Sequence, residues 1–365
     1  MLWPEKKCCE AFARKRIDRR LGAGRWSDSD PYACAILESV ERFVPNRLGE
    51  LVGGTFGAVV LDRGAFYGFV EMGRCSCCDD PVDITLLDVR LLSLINQTTR
   101  LLYGYIDKTQ TNVLAFLPFD DAGYAAAREL LRYHVHRTPE QIIPSIHFDG
   151  LSQPHRFMSG VGNVAKTWVA IHESSHLGPG RGRPQFSSHR QKQMVLMAHF
   201  FRAPLSRVES WAEEATADAN AFQMMHIEMY GPGRRNPAGD DAALWTSVLS
   251  TALVYALKLI ETMQWSTCPP EQGIALGRQH ATTRHPPTSL RYRMVSREAA
   301  VYARLRSEQP STWQASLENL TDALDDLFRV RPQWLREEEA LIHARIERAT
   351  GSRVRSITNQ EDDVQ

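Results

Sequence analysis

The stretch that organises this chain is residues 165–177, AKTWVAIHESSHL. Its apolar residues recur at the spacing of an amphipathic helix, and Trp168 lies on the side that His172 and His176 continue. A Gly-Pro pair follows directly and provides a stop signal. The pattern therefore predicts a helix over residues 160–177 whose last turn presents two histidines where the helix meets the core.

These histidines belong to an HExxH motif formed by His172, Glu173 and His176. Positions i and i+4 of a helix lie one turn apart on the same face, so two imidazoles can bind one tetrahedral ion while Glu173 projects toward a metal-bound water. The same motif also arises by chance, and many chance occurrences do not lie on a helix. A catalytic metal centre therefore requires a third protein ligand elsewhere in the chain.

The stretch that offers this ligand is residues 206–225, SRVESWAEEATADANAFQMM. Glu214 and Asp218 are four residues apart, which places both carboxylates on one face of a helix. We predict that Glu214 binds the ion and that Asp218 reaches a neighbouring group, such as the outer ring N–H of a ligand histidine. The alternative is a solvated acidic face, with Glu213 competing for the ligand role. Apolar residues on the same side favour burial, and only Glu214 has an aspartate four residues on.

Three segments together resemble the gluzincin metallopeptidases: HESSH at residues 172–176, EATAD at 214–218 and RHPPTSLR at 284–291. That group has an HExxH helix, a downstream ExxxD helix and often an HPxxxxR segment. Its membrane-bound heat-shock and CAAX-processing peptidases have transmembrane helices, whereas the soluble Lit-like phage-exclusion peptidases are closer in architecture. The resemblance covers residues 160–294.

The resemblance implies a Zn²⁺ ion held by His172, His176 and Glu214, with Glu173 as the catalytic base. Zinc lowers the pKa of bound water to about 7 in such sites, and a glutamate beside the first ligand accepts the proton as hydroxide attacks an amide carbonyl. The sequence therefore predicts a zinc-dependent endopeptidase that acts on protein or peptide substrates.

Three further positions take supporting roles by the same resemblance. Asp218 corresponds to the residue that orients a ligand histidine. Arg291 lies near the site and pairs with Asp218 or with the substrate, and His285 stabilises the oxyanion. Two functional alternatives stay open: a toxin-like or regulatory protease with a single cellular protein target, and a noncatalytic protein that keeps the zinc site for binding.

The composition limits the partners that we expect. The chain has 365 residues, with 43 Lys and Arg against 43 Asp and Glu. A formal net charge of zero provides no global field that would draw the chain to nucleic acid or to an anionic membrane, so neither partner is expected. Residues 243–260 are strongly apolar, but acidic residues flank them, and we predict a buried core helix rather than a membrane span.

The seven cysteines include two vicinal pairs, which is a poor arrangement for a disulfide framework. Residues 1–20 lack the apolar region of a secretory signal, so we expect reduced thiols and a cytoplasmic protein. Cys75 and Cys78 have C-x-x-C spacing and could form a second metal site with Cys8 and Cys9. No second C-x-x-C follows, so the sequence favours inert or redox-sensitive thiols.

The predicted fold class is α+β and mainly α, with a zincin-like helical metallopeptidase core and a small β-containing N-terminal section. The predicted organisation is a basic N-terminal segment, a mixed α/β section, a helical metallopeptidase domain and a loose tail, at residues 1–45, 46–140, 141–350 and 351–365. In the front part we predict a hairpin over residues 55–72, a β-prone run over 113–119 and helices over 31–43, 82–105 and 122–136. Beyond a β-prone run at 142–148, further helices are predicted at 186–202, 204–230, 240–263, 286–306, 313–330 and 334–349.

Overall fold

A computed structural model shows a mainly helical protein, and the residues that it describes include a small mixed sheet. It describes residues 3–43, 54–61, 68–111, 113–136, 152–176, 208–230, 240–266 and 311–329, together with Pro286, Arg291, Ala344 and Arg348. The strands are β1 (Trp26–Ser27), β2 (Thr55–Leu61), β3 (Gly68–Arg74) and β4 (Pro81–Asp88). The helices in the described ranges are α1 (Lys7–Leu21), α2 (Pro31–Phe43), α3 (Val89–Tyr103), α4 (Asp121–His136), α5 (Gln153–Ser175), α6 (Val208–Tyr230), α7 (Asp240–Ser266) and α8 (Ser311–Phe328).

The sheet has the strand order β1-β2-β4-β3. Strands β2 and β4 are parallel, whereas β1 pairs antiparallel with β2 and β3 pairs antiparallel with β4. The predicted hairpin over residues 55–72 is therefore wrong, because β4 lies between β2 and β3. The observed hairpin is β3–β4, and the backbone N–H of Cys75 donates to the carbonyl of Asp80 at 2.8 Å in its turn.

The prediction of a helix over residues 82–105 is also partly wrong. Residues up to Asp88 form β4, and the helix begins only at Val89. Both faces of β4 are covered, so its residues from Ile84 onward are all buried and lack the alternation that marks a half-exposed strand. The Asp88 carboxylate accepts a hydrogen bond from the backbone N–H of Arg90 at 3.0 Å and caps α3. The run at 113–119 forms no named strand, only an isolated bridge between Phe116 and Ile106.

The sheet separates two apolar clusters. On one face, Cys9, Ala13 and Ile17 of α1 pack against buried residues of β2 and β4. On the other face, the larger core joins the sheet to α2, α3, α4, α5, α7 and α8, together with the inner side of α6. The hydrophobic pattern did not predict the packing of helix α1 on the sheet, because its buried stripe is narrow and the rest of its surface is strongly charged. In the described part of the chain, the sheet therefore lies between helix α1 and a layer of helices.

Helix α5 lies at the centre of the helical layer, where it contacts α2, α3, α6, α7 and strands β3 and β4. It is buried along almost its whole length and begins at Gln153, earlier than predicted. The predicted helices over 31–43, 122–136, 240–263 and 313–330 are confirmed to within a few residues, and that over 204–230 begins at Val208. Several predictions concern residues that the structure does not describe. These are the β-prone run at 142–148, the helix at 186–202, the tail and the domain boundaries. Of the predicted helices at 286–306 and 334–349, only single positions are described.

Helix α7 contains the apolar run at 243–260. Its side chains from Thr251 to Leu259 are buried in the main core, so the predicted core helix is confirmed. The buried ammonium of Lys258 lies 2.9 Å from a carboxylate oxygen of Asp325 on α8 and 3.3 Å from one of Glu261. No helix in the described ranges is long and apolar enough to cross a membrane.

Gly162 allows α5 to pack closely against α3. A Cβ atom at this position would lie 2.5 Å from Oγ1 of Thr99 and 2.9 Å from its Cγ2. Thr99 cannot turn away freely, because its hydroxyl donates to the Ile95 carbonyl at 2.7 Å and lies 3.1 Å from the Tyr255 hydroxyl. The helix that carries the HExxH motif is thus held by a contact that only glycine permits.

We expect Gly162→Ala to destabilise the protein. Overpacking of this kind costs about 1–3 kcal/mol, which exceeds the gain of about 1 kcal/mol that alanine brings in helix propensity. The change in the free energy of unfolding is measured by urea denaturation monitored with circular dichroism. Thr99→Ala is the matched second change, and we expect the double variant to lose less stability than the two single losses added together. Strict additivity would contradict the proposed contact.

Candidate metal centre

The last turn of α5 positions two imidazoles beside each other. His172 is buried on the inner face, and His176 follows at the C-cap, less deeply covered. Their ring centroids are 5.2 Å apart with perpendicular planes, and the Trp168 ring packs against His172 at 5.0 Å. The i, i+4 spacing of the sequence thus becomes a convergent pair of ring nitrogens at the end of a buried helix.

Helix α6 brings a carboxylate to this pair. Oε2 of Glu214 lies 3.5 Å from Nε2 of His172, and Oε1 lies 3.7 Å from Nε2 of His176. One ligand atom from each of the three residues falls within 4.8 Å of the others. The residues predicted to bind the metal are therefore brought together. Glu213, the competing acid, is exposed, whereas Glu214 is buried.

Asp218 and Arg291 form a buried ion pair behind His172. Arg291 donates to the Asp218 carboxylate through two nitrogens, with Nε at 2.9 Å from Oδ2 and Nη2 at 2.8 Å from Oδ1. Oδ1 of Asp218 also lies 3.0 Å from Nδ1 of His172, although this contact is bent away from the N–H direction. The nitrogen of His172 that faces away from Glu214 is thus next to a fixed carboxylate.

Glu173 and His285 complete the set of predicted site residues. Glu173 is half-buried on α5, and its charge acts on the nearby Arg291 guanidinium. His285 lies outside the described residues, whereas Arg291, six positions on, is described.

The two serines between the HExxH histidines have structural partners. The Ser174 hydroxyl donates to the Ala170 carbonyl at 2.8 Å and lies 3.0 Å from the Thr85 hydroxyl of β4. Ser175 donates to the Ile171 carbonyl of its own helix at 2.8 Å. The contact between Ser174 and Thr85 was not predicted, because nothing in the local sequence indicates which element packs against this turn. It ties the histidine-bearing turn to the central strand.

The titration of the site follows from burial and charge. Burial lowers the pKa of His176 to about 4, and the charge of the neighbouring His172 acts in the same direction. Burial acts on His172 in the same sense, but the carboxylates of Asp218 and Glu214 outweigh it and raise the pKa of His172 to about 9. Burial alone would raise the pKa of Asp218, yet Arg291 holds it below its ordinary value. His176 is therefore a neutral nitrogen donor, and a metal would displace a proton from His172.

The donor set suits a divalent metal. Two imidazole nitrogens and one carboxylate are ligands that first-row ions accept, and three protein ligands leave a coordination position for water or substrate. One contact opposes the ion: Nη2 of Arg291 lies 3.3 Å from Nε2 of His172 and 3.5 Å from Oε2 of Glu214. Nη2 of Arg291 has to move away from these two atoms when an ion binds. The hydrogen bond from Nε of Arg291 to Asp218 can persist. His172, His176 and Glu214 are thus a group that could hold a metal ion.

Comparison of the chain with known protein families, with curated proteins and with solved structures finds no match. The chemistry of the site therefore has to be inferred from its own geometry.

We expect Arg291→Met to destabilise the fold. The change leaves Asp218, which is 1% exposed, without its bidentate partner, and breaking a buried pair costs about 3–5 kcal/mol. Guanidinium chloride unfolding measures the loss. Arg132→Met is the matched control, because Arg132 forms an exposed i, i+3 pair with Glu129 on α4, and such pairs contribute little. Equal stability losses in the two variants would contradict a structural role for the buried pair.

Proposed function

We propose that this protein is a zinc-dependent metallopeptidase with a zincin-like helical core. The observation that carries the proposal is the convergence of His172, His176 and Glu214 from two helices distant in sequence, with ligand atoms within 4.8 Å of one another. Glu173 lies directly beside the first histidine in the chain. A cytoplasmic location, on the cysteine arrangement described above, belongs to the same proposal.

When bound, zinc polarises a substrate carbonyl and makes an attacking water more acidic. His172 and His176 contribute neutral nitrogen donors, and Glu214 contributes the negative charge that favours a divalent ion. Glu173 accepts the proton of the attacking water and returns it to the amine that leaves, so that the peptide bond is hydrolysed without a covalent intermediate. Glu173 thus acts first as a general base and then as a general acid, whereas the three ligands keep one role throughout.

Asp218 and Arg291 act as positioning residues in this proposal. The carboxylate of Asp218 lies between the outer nitrogen of His172 and the guanidinium of Arg291, so it fixes the ring orientation without contacting the ion. Arg291 holds Asp218 ionised and in place. His285 is proposed to stabilise the developing oxyanion, on the sequence resemblance alone.

A peptide library tests the reaction class. The purified full chain is incubated with a degenerate library of unmodified peptides, and mass spectrometry identifies new termini. We expect cleavage at amide bonds that stops with 1,10-phenanthroline and returns when zinc is added. Cleavage that persists after the metal has been removed, as verified by elemental analysis, would contradict the proposal. A metal-loaded chain that binds peptides but cleaves neither the library nor whole-cell protein would favour the noncatalytic alternative.

The breadth of cleavage separates the two enzymatic alternatives. A general peptidase cuts many library peptides with a shared preference around the bond. A regulatory or toxin-like protease leaves the library nearly intact and cuts one protein when a whole-cell extract is added. Both results depend on the same three ligands, so chelator sensitivity is expected in either case.

A further inference from the structure

Four cysteines from two distant segments meet on the outer face of the sheet. Cys8 and Cys9 lie in the first turn of α1, and Cys75 and Cys78 lie in the turn between β3 and β4. Their sulfur atoms all fall within 4.8 Å of one another. The Sγ of Cys78 lies 3.4 Å from that of Cys9 and 3.7 Å from that of Cys8. This cluster is separate from the histidine and glutamate group on α5 and α6.

The spacing of the sulfurs fits one mononuclear ion. A zinc–sulfur bond is about 2.3 Å long, so the edge of a regular ZnS₄ tetrahedron is about 3.8 Å. The two distances at Cys78 are near this edge and well above the S–S bond of about 2.05 Å in a disulfide. In an iron–sulfur cluster several metal atoms separate the cysteine sulfurs, which then lie farther apart than on a single ion.

Backbone N–H groups of the β3–β4 turn face the sulfur atoms. The N–H groups of Cys77 and Cys78 donate to the sulfur of Cys75, and the N–H of Asp80 donates to the sulfur of Cys78. Asp79 adopts a left-handed backbone with φ 59°, which completes the tight turn that aims these groups inward.

The second pair of cysteines lies at a helix N-terminus. Cys8 and Cys9 occupy the N-terminal turn of α1, where the helix dipole favours negative charge. The ammonium of Lys6 forms a salt bridge with Asp80 and lies close enough to Cys78 and Cys9 for its charge to act on both. The α1 segment therefore brings the Lys6 ammonium and a helix N-terminus to the cluster, and the β3–β4 turn brings N–H donors.

We propose that Cys8, Cys9, Cys75 and Cys78 bind one Zn²⁺ ion tetrahedrally and so form a second, structural metal site. Four protein ligands leave no position for water, which is the mark of a structural rather than a catalytic zinc. The ion links α1 to the β3–β4 turn. This link matters for stability because the apolar cluster between α1 and the sheet is small. The other face of β4 carries Thr85, which contacts the histidine-bearing turn of α5.

Elemental analysis of the purified full chain provides the first test. We expect about two zinc ions per chain in the wild type and about one after Cys75→Ala or Cys78→Ala. Cys77→Ala is the matched control, because Cys77 is exposed in the same turn and lies outside the cluster, and its zinc content should equal that of the wild type. Unchanged zinc in Cys78→Ala, or an equal loss in Cys77→Ala, would overturn the site.

A second measurement on the unmodified chain does not depend on whether the cysteine variants fold. Zinc X-ray absorption should show sulfur neighbours at about 2.3 Å. A shell of nitrogen and oxygen only, iron in place of zinc, or a disulfide among these cysteines after purification without reductant would each overturn the proposal. Sulfur neighbours that persist in Glu214→Ala would show that this site binds zinc even where the peptidase site fails.

Discussion

Glutamine in place of Glu173 is expected to abolish peptide-bond hydrolysis while the zinc content stays that of the wild type. The amide has nearly the same shape as the carboxylate but cannot accept the proton of the attacking water. A positioned general base accelerates the reaction by about 10²–10⁴-fold. We therefore expect kcat to fall by about 10²-fold or more. The measurement is turnover of the best library peptide beside elemental analysis of the same preparation.

Ser175→Ala provides the control in the same helical turn, because the Ser175 hydroxyl donates only to the carbonyl of Ile171 among the contacts that the structure describes. Its kcat should stay within a factor of a few of the wild type. Unchanged turnover in Glu173→Gln would remove Glu173 as the base. Loss of zinc in that variant would instead assign Glu173 to metal binding.

Glu214→Ala is expected to lower the zinc content by about one ion per chain, because the two imidazoles then lack the third protein ligand of a catalytic site. Hydrolysis should be lost together with the ion. The fold should persist, since Glu214 is one of several residues that join α6 to α5 and the methyl group of alanine is compatible with the helix. Elemental analysis and circular dichroism of the same sample separate loss of metal from loss of structure.

Glu213→Ala is the matched control for this variant. Glu213 precedes Glu214 on α6 but is exposed, so its removal should change neither zinc content nor activity. A full zinc complement in Glu214→Ala would contradict the ligand assignment. Equal loss of zinc in both variants would indicate that the general acidity of α6, and not one ligand, retains the metal.

The group that could hold a metal ion was predictable in part because the spacings within each of its two helices are local. The spacing of His172 and His176 and that of Glu214 and Asp218 follow from helical geometry, which a sequence specifies directly. The choice of Glu214 over Glu213 followed from a single observation, the aspartate four residues on. The bidentate contact of Arg291 with Asp218 was one of two options, since the sequence does not show which partner lies nearer in space.

The sheet was less predictable because strand order is a long-range property. The apolar run of β4 is buried on both faces and therefore lacks the alternation from which a strand is recognised, and it was assigned to a helix. Without β4, the two flanking strands were predicted to pair with each other. Their register depends on a strand inserted from further along the chain, which no local pattern encodes.

The cysteine cluster shows the same limit. Cys75 and Cys78 have a recognisable spacing, but their partners Cys8 and Cys9 are adjacent residues at the start of a helix that the hydrophobic pattern did not reveal. Their proximity depends on α1 packing over the sheet through a narrow buried stripe, Cys9, Ala13 and Ile17. From sequence alone, inert or redox-sensitive thiols were the favoured interpretation, and the fold is what brings the four sulfurs together.

Anomalous scattering from zinc-loaded crystals tests the central claim most directly. Data collected on both sides of the zinc absorption edge locate each ion independently of its ligands. We expect a peak about 2.0–2.2 Å from Nε2 of His172, from Nε2 of His176 and from a carboxylate oxygen of Glu214. Ordered side chains at these three positions with no peak between them, in crystals soaked with zinc, would contradict the metal centre and the peptidase mechanism built on it.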